Sequence, residues 1–172
     1  MSIDGNGSEP ARTRVVTWED PVPHAVAGRS MRGIDYLRKI AAGEIPAPPI
    51  SRLMGFSVVE AGDGRAVFEA TPGEEHYNPI GVVHGGLAAT LLDSAMGVAV
   101  HATLGPGDGY TTLEIKVNFV RPMTRDTGTV RATAEVVHVG RRTATAEGRL
   151  EDASGRLLAH GTATCLILRA EE

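Results

Sequence analysis

Residues 77–107 carry a single charged side chain, Asp93, in 31 positions. Within that stretch Leu87 to Leu104 reads as a helix that is apolar nearly all round, and such a helix must be buried on every side. The segments around it read as strands. Phe56–Ala61 and Arg65–Thr71 flank the turn Gly62-Asp63-Gly64, a hairpin pattern. Beyond Gly105–Gly109, Leu113, Ile115, Val117 and Phe119 alternate with Thr112, Glu114, Lys116 and Asn118. Val130–Val136 and Ala144–Leu150 alternate in the same way around Gly140, and Leu157–Leu168 completes the set. One helix cannot cover six strands unless the sheet curls about it. The expected architecture is therefore α+β, an antiparallel six-stranded sheet wrapped around one long central helix.

The first 50 residues are of a different kind, holding six of the ten prolines and balancing six cations against six anions. Residues 1–33 show no hydrophobic periodicity and are expected to form a flexible arm. A short helix is expected over Ile34–Ala42, with Gly43 and the run Pro46-Ala47-Pro48-Pro49 closing a linker that ends at residue 49. Residues 50–170 then make up one domain. A net charge of −4 and 4 % aromatic residues argue against a nucleic-acid surface. The lone cysteine, Cys165, allows no intrachain disulfide and reads as a small core residue. Neither a secretory leader nor an apolar run of spanning length is legible, so a cytoplasmic protein with no membrane partner is expected.

The chemistry is concentrated at the start of the buried helix. Gly85 and Gly86 open it, where first-turn amides lack intrahelical partners and the helix dipole favours a polarised carbonyl. Asp93 is costly in an apolar helix unless it has a task or partners. Burial would raise its pKa towards that of a general base; the competing reading is a core carboxylate satisfied by Thr90 or Ser94. Gly85 and Asp93 stand eight positions apart, about 12 Å along one helix, too far to act on one atom. If both serve one site, the second must come from another copy across a two-fold axis. His84 reads as shaping the glycine turn. No histidine pair has the spacing of a zinc hydrolase, so no metal is expected. Arg141 and Arg142, after Gly140, are either phosphate contacts or a solvated hairpin tip.

The stretch His76–Gly97, HYNPIGVVHGGLAATLLDSAMG, with TTLEIKVNFVRP at Thr111–Pro122, resembles the hotdog-fold acyl-CoA thioesterases of the PaaI-like, phenylacetic acid degradation type. The likeness runs from about Ile50 to Leu168 and implies the hotdog roll. It implies that the Gly85 amide polarises the thioester carbonyl, with His84 and Gly86 beside it as substrate-binding positions. Asn78 would bind that carbonyl or position the attacking water. Asp93 of a partner subunit would serve as general base or nucleophile, and Thr112 would steady the water, although the alternation sets Thr112 beside Glu114 on the polar face. Gly140, Arg141, Arg142 and Thr143 would contact the CoA portion. The implied assembly is a homodimer with shared sites, or a dimer of dimers, needing no cofactor because CoA arrives with the substrate. Two other readings compete: a hotdog dehydratase or hydratase using His76 or His84 with a carboxylate, and a non-catalytic acyl-CoA-binding protein.

Overall fold

The computed structural model describes residues 11–170. Six strands form one antiparallel sheet in the order β1-β2-β4-β5-β6-β3: β1 Phe56–Gly62, β2 Arg65–Ala70, β3 Gly109–Phe119, β4 Val130–Val139, β5 Thr143–Asp152 and β6 Leu157–Leu168. Three helices precede the sheet, α1 Pro21–Gly28, α2 Gly33–Ala41 and α3 Pro49–Met54; α4, Gly85–Ala102, lies in the concave face. At 18 residues α4 is about 27 Å long, and the sheet curls around it as the buried helix requires.

The inward residues are small wherever helix and sheet approach. Ala132, Ala134, Ala144, Ala146, Ala159 and Ala163 are buried against Leu87, Leu91, Leu92, Met96 and Val100 of α4. Gly148 has no room for a methyl, because a Cβ there would stand 3.1 Å from Leu92 Cδ2 and 3.2 Å from Met96 Cγ. The opposite face of the sheet carries ion pairs instead, among them Arg131 with Glu60 and Glu69, and Arg65 with Glu60 and Glu135.

The sheet has two unlike edges. β1 pairs only with β2, is broken by a register shift between Val58 and Glu60, and has α2 packed beside it. Among the described residues β3 pairs only with β6 and leaves a long free side, with Leu113 at 59 % and Phe119 at 60 % exposure.

Two features depart from the sequence reading. The expected flexible arm over 1–33 contains α1 at residues 21–28; residues 1–10 of that arm lie outside the described residues. Asp20 caps α1 by accepting the Val22 amide at 3.0 Å and Pro21 fits its first turn, while no buried face exists to give the sequence a period. The second departure is a bulge in β3. Thr112 pairs with Cys165 and Glu114 with Thr164, so Leu113 is the extra residue. Before the bulge Tyr110 and Thr112 face the helix side with Ile167 and Cys165; after it Ile115, Val117 and Phe119 do so. Thr112 is therefore not on the polar face beside Glu114, as alternation alone indicates.

The β5–β6 turn is held by a single carboxylate. Asp152 accepts hydrogen bonds from the Ser154 amide and hydroxyl (2.9 and 2.6 Å) and from the Arg156 amide and Nε (3.1 and 2.7 Å). The Ser154 hydroxyl above all, with Arg156, holds this carboxyl far below the usual range. A depressed carboxyl contributes stability that is full above the unfolded value of about 3.9 and lost as pH falls towards the folded one. Asp152→Asn is therefore expected to lower the melting temperature at neutral pH and to lessen its dependence on pH below about 4. Thermal melts of both proteins across that range check this; parallel curves refute it.

Candidate active site

The loop before α4 folds back on itself. Asn78 Oδ1 accepts the amides of Ile80 (3.1 Å) and Val82 (3.2 Å), and the Asn78 amide donates to the Val82 carbonyl at 2.8 Å. That side chain thus builds the turn with its oxygen and keeps its amide NH2 for other work. His76 is committed at both ring nitrogens, Nδ1 accepting the Gly73 amide (3.0 Å) and Nε2 donating to the Met54 carbonyl (3.1 Å). A histidine so engaged has no lone pair left for acid–base work, which removes one of the two histidines a hydratase would use.

His84 is the N-cap of α4. Its Nδ1 accepts the Gly86 amide at 2.8 Å, and its carbonyl accepts the Leu87 amide at 3.0 Å. The Gly85 N–H is the donor of this first turn to which the described residues offer no partner. It opens beside a cavity of about 490 Å³ lined by residues including Phe119, Pro122, Met123 and Leu158. A Cβ on Gly85 would stand 3.0 Å from the Phe119 ring, so glycine here leaves the approach to the amide clear.

Asp93 lies halfway along α4 and is half-buried. Its Oδ1 is buried with no hydrogen-bond partner among the described residues, and Thr90, one of the two expected local donors, gives its hydroxyl to the Gly86 carbonyl at 2.8 Å. Such an oxygen is expensive unless something completes it. The bulge brings Thr112 into this neighbourhood, opposite its strand partner, the buried Cys165. Burial, with the Asp93 charge adding to it, pushes the Cys165 thiol up. Burial, then the charges of Cys165 and Asp93, likewise pushes the Tyr110 phenol up.

Tyr110 is the neighbour that sequence reasoning missed. It lies across Gly97, where a Cβ would be 2.7 Å from its ring and 2.8 Å from its hydroxyl. Gly97 follows Asp93 by one helical turn, on the same face. A glycine inside a helix, four residues after the lone carboxylate, was the available signal of a close approach.

Gly140–Thr143 stand at the far end. The Gly140 amide donates to the Thr143 carbonyl at 2.8 Å, and Arg169 fixes the turn by bonding the carbonyls of Gly140 and Arg141. Thr143 pairs with Leu166 of β6, whose neighbour Leu168 pairs with Gly109 at the start of β3. The turn thus belongs to the end of the sheet opposite Phe119 and Gly85. Arg141 and Arg142 are exposed, with no ion-pair partner among the described residues. One copy therefore gathers Asn78, His84, Gly85 and Gly86, sets Asp93 near Thr112 and Tyr110, and keeps the arginine turn apart from both.

A sequence profile of the Thioesterase superfamily matches residues 80–159, which run from the Asn78 loop to β6. Human acyl-coenzyme A thioesterase 13 is 31 % identical over 130 residues, covering 74 % of this chain and 91 % of that protein. The chain belongs to the thioesterase superfamily. A second relative of this thioester hydrolase, 1,4-dihydroxy-2-naphthoyl-CoA hydrolase of Listeria monocytogenes, is 27 % identical over 118 residues, 69 % of this chain and 94 % of its own. Among solved structures, a mutant of the phenylacetic acid degradation protein PaaI from Thermus thermophilus superposes with a TM-score of 0.63 at 28 % identity, covering 69 % of this chain and 98 % of that one. The expected hotdog roll and the PaaI-like resemblance are both borne out. Among the described residues no helix is long and apolar enough to cross a membrane.

Proposed function

We propose that the protein hydrolyses an acyl-CoA thioester to a carboxylic acid and free CoA, as a pair of copies sharing two sites. The observation that carries this is the separation, on one helix, of an amide at Gly85 and a carboxylate oxygen at Asp93 that both lack a partner among the described residues. They are about 12 Å apart along α4 and cannot meet on one thioester. Pairing of two β3 edges, antiparallel about a two-fold axis, sets the Phe119 end of one copy beside the Gly109 end of the other. That arrangement offers Asp93 and the Gly140–Thr143 turn of the second copy to the Gly85 amide of the first. The exposed Leu113 and Phe119 and the free β3 backbone supply a reason to pair.

In such a site the Gly85 N–H stabilises the oxygen of the attacked carbonyl as it becomes negative. The partner's Asp93 removes the proton from the attacking water, which Thr112 steadies. Asn78, its oxygen held by the loop, donates its NH2 to the carbonyl or the water. Collapse of the tetrahedral intermediate breaks the C–S bond, and the departing CoA sulfur takes up the proton. Arg141 and Arg142 meet the CoA phosphates.

Free-thiol release from aryl- and alkyl-CoA esters tests the reading directly. Turnover of at least one ester supports it. Silence across the panel, with acyl-CoA still bound, overturns it in favour of a binding protein or a hydratase.

A further inference from the structure

Two cavities flank the start of α4, and they differ in what closes them. The one beside Gly85, bordered by Phe119 and Val120, opens at the free β3 edge. The other, about 510 Å³, lies on the opposite side of His84 and Gly86 and is closed by the chain's own N-terminal arm. Its wall is made of Val16 and Arg14 from the arm, Leu53 and Met54 from α3, Tyr77, and Leu87 of α4.

The arm is held there by two different contacts. Arg14 Nη2 donates to the Arg52 carbonyl at 3.2 Å and Nη1 to Glu75 at 3.4 Å. Of residues 11–20, Val16 alone is half-buried. This side chain and the polar clamp two residues before it fix one edge of the cavity. The Arg14 cation is matched by Glu75, so the rim offers no spare arginine charge to a carboxylated acyl group, and Val16, Leu53, Met54 and Leu87 make up the apolar part of the lining.

We infer that this arm-walled cavity receives the acyl group, that the substrates are uncharged apolar acyl thioesters, and that Arg14 and Val16 determine the length accepted. The inference rests on the thioesterase reading above, since a carbonyl held at the Gly85 amide must send its two halves to opposite sides of the helix start. The β3-edge side leads to the second copy and its arginine turn, which leaves the arm side for the acyl chain. Arg14 and Val16 lie outside residues 80–159, which the superfamily profile matches.

The test uses the full chain and a series from acetyl-CoA to dodecanoyl-CoA, with benzoyl-CoA and succinyl-CoA. Val16→Phe narrows the cavity at its arm side and is expected to lower kcat/KM for the longest good substrate by about tenfold, while leaving the shortest unchanged. Arg14→Ala unclamps the arm and should move the optimum the other way, towards longer chains. Succinyl-CoA should be poor for all three proteins. Both substitutions sit in an extended segment outside sheet and helices, and an unchanged melting temperature confirms that the fold is intact. Superimposable length profiles for an active wild type and both variants overturn this inference alone, as does a preference for succinyl-CoA. A wild type that releases thiol from no ester overturns the thioesterase reading itself.

Discussion

Co-expression of two inactive variants, Asp93→Asn and Gly85→Pro, is expected to restore about one quarter of wild-type activity. Each variant alone fails for a different reason. Asp93→Asn keeps the shape of the side chain but deletes the base, an effect of about 10²–10⁴-fold on kcat. Gly85→Pro deletes one N–H, worth about 10²–10³-fold when that N–H serves an oxyanion. Proline suits the first position of a helix, and His84 before it already has φ −63° and ψ 136°, the extended conformation a residue preceding proline adopts. A Cβ here stands 3.0 Å from the Phe119 ring, its nearest neighbour, so that side chain must give by a few tenths of an ångström. Random pairing makes about half of the dimers mixed, and each mixed dimer assembles one site from an intact amide and an intact carboxylate. If both groups act from one chain, every site in the mixture is damaged and no activity returns. Thiol release by the co-purified mixture, against each variant alone, distinguishes the two arrangements.

Leu92→Ala should do the reverse, costing stability while sparing the chemistry. Leu92 is fully buried beside Gly148, in a part of the core where glycine and alanine already fill the sheet side to contact distance. The rigid sheet cannot collapse into the space the side chain leaves, so a loss of about 3–4 kcal/mol is expected. For a chain of this size that corresponds to a melting temperature lower by roughly 10 °C. Activity per folded molecule, assayed well below the transition, should remain close to wild type. A melting temperature within about 2 °C of wild type would show a core far more plastic than its packing indicates. Asp93→Asn, by contrast, should leave the melting temperature no lower, because it replaces a carboxylate whose Oδ1 has no partner among the described residues.

The helix and most of the sheet were legible because their signals are local. A long apolar run marks α4, and period-two alternation marks β4, β5 and β6, whose inward Ala and Gly residues are all buried. The start of the site was legible for the same reason, since a glycine pair opening a buried helix carries its own physics. α1 left no trace because it buries nothing; a cap and a proline hold it, and neither produces a period. The bulge was hidden more thoroughly. Leu113, Ile115, Val117 and Phe119 alternate cleanly, yet the strand shifts phase by one residue at Leu113 so that Tyr110 and Thr112 can face α4. That choice depends on the void at Gly97 and on the thiol of Cys165, both distant in sequence. Alternation within one strand records neither. For Asn78 and His76 the sequence supplied residue types, but only the loop geometry tells which of their polar atoms are already engaged.

The two unlike edges of the sheet bear on how the protein behaves when crowded. Growth by strand addition needs a receptive edge at both ends of each unit. Here β3 is long and open, whereas β1 is kinked by its register shift and has α2 at its side. Copies that join through β3 expose only β1 edges outward, and propagation ends at two. A higher concentration then yields more closed pairs and no ribbons, so the contact that would complete a site also removes the edge most prone to seed fibres.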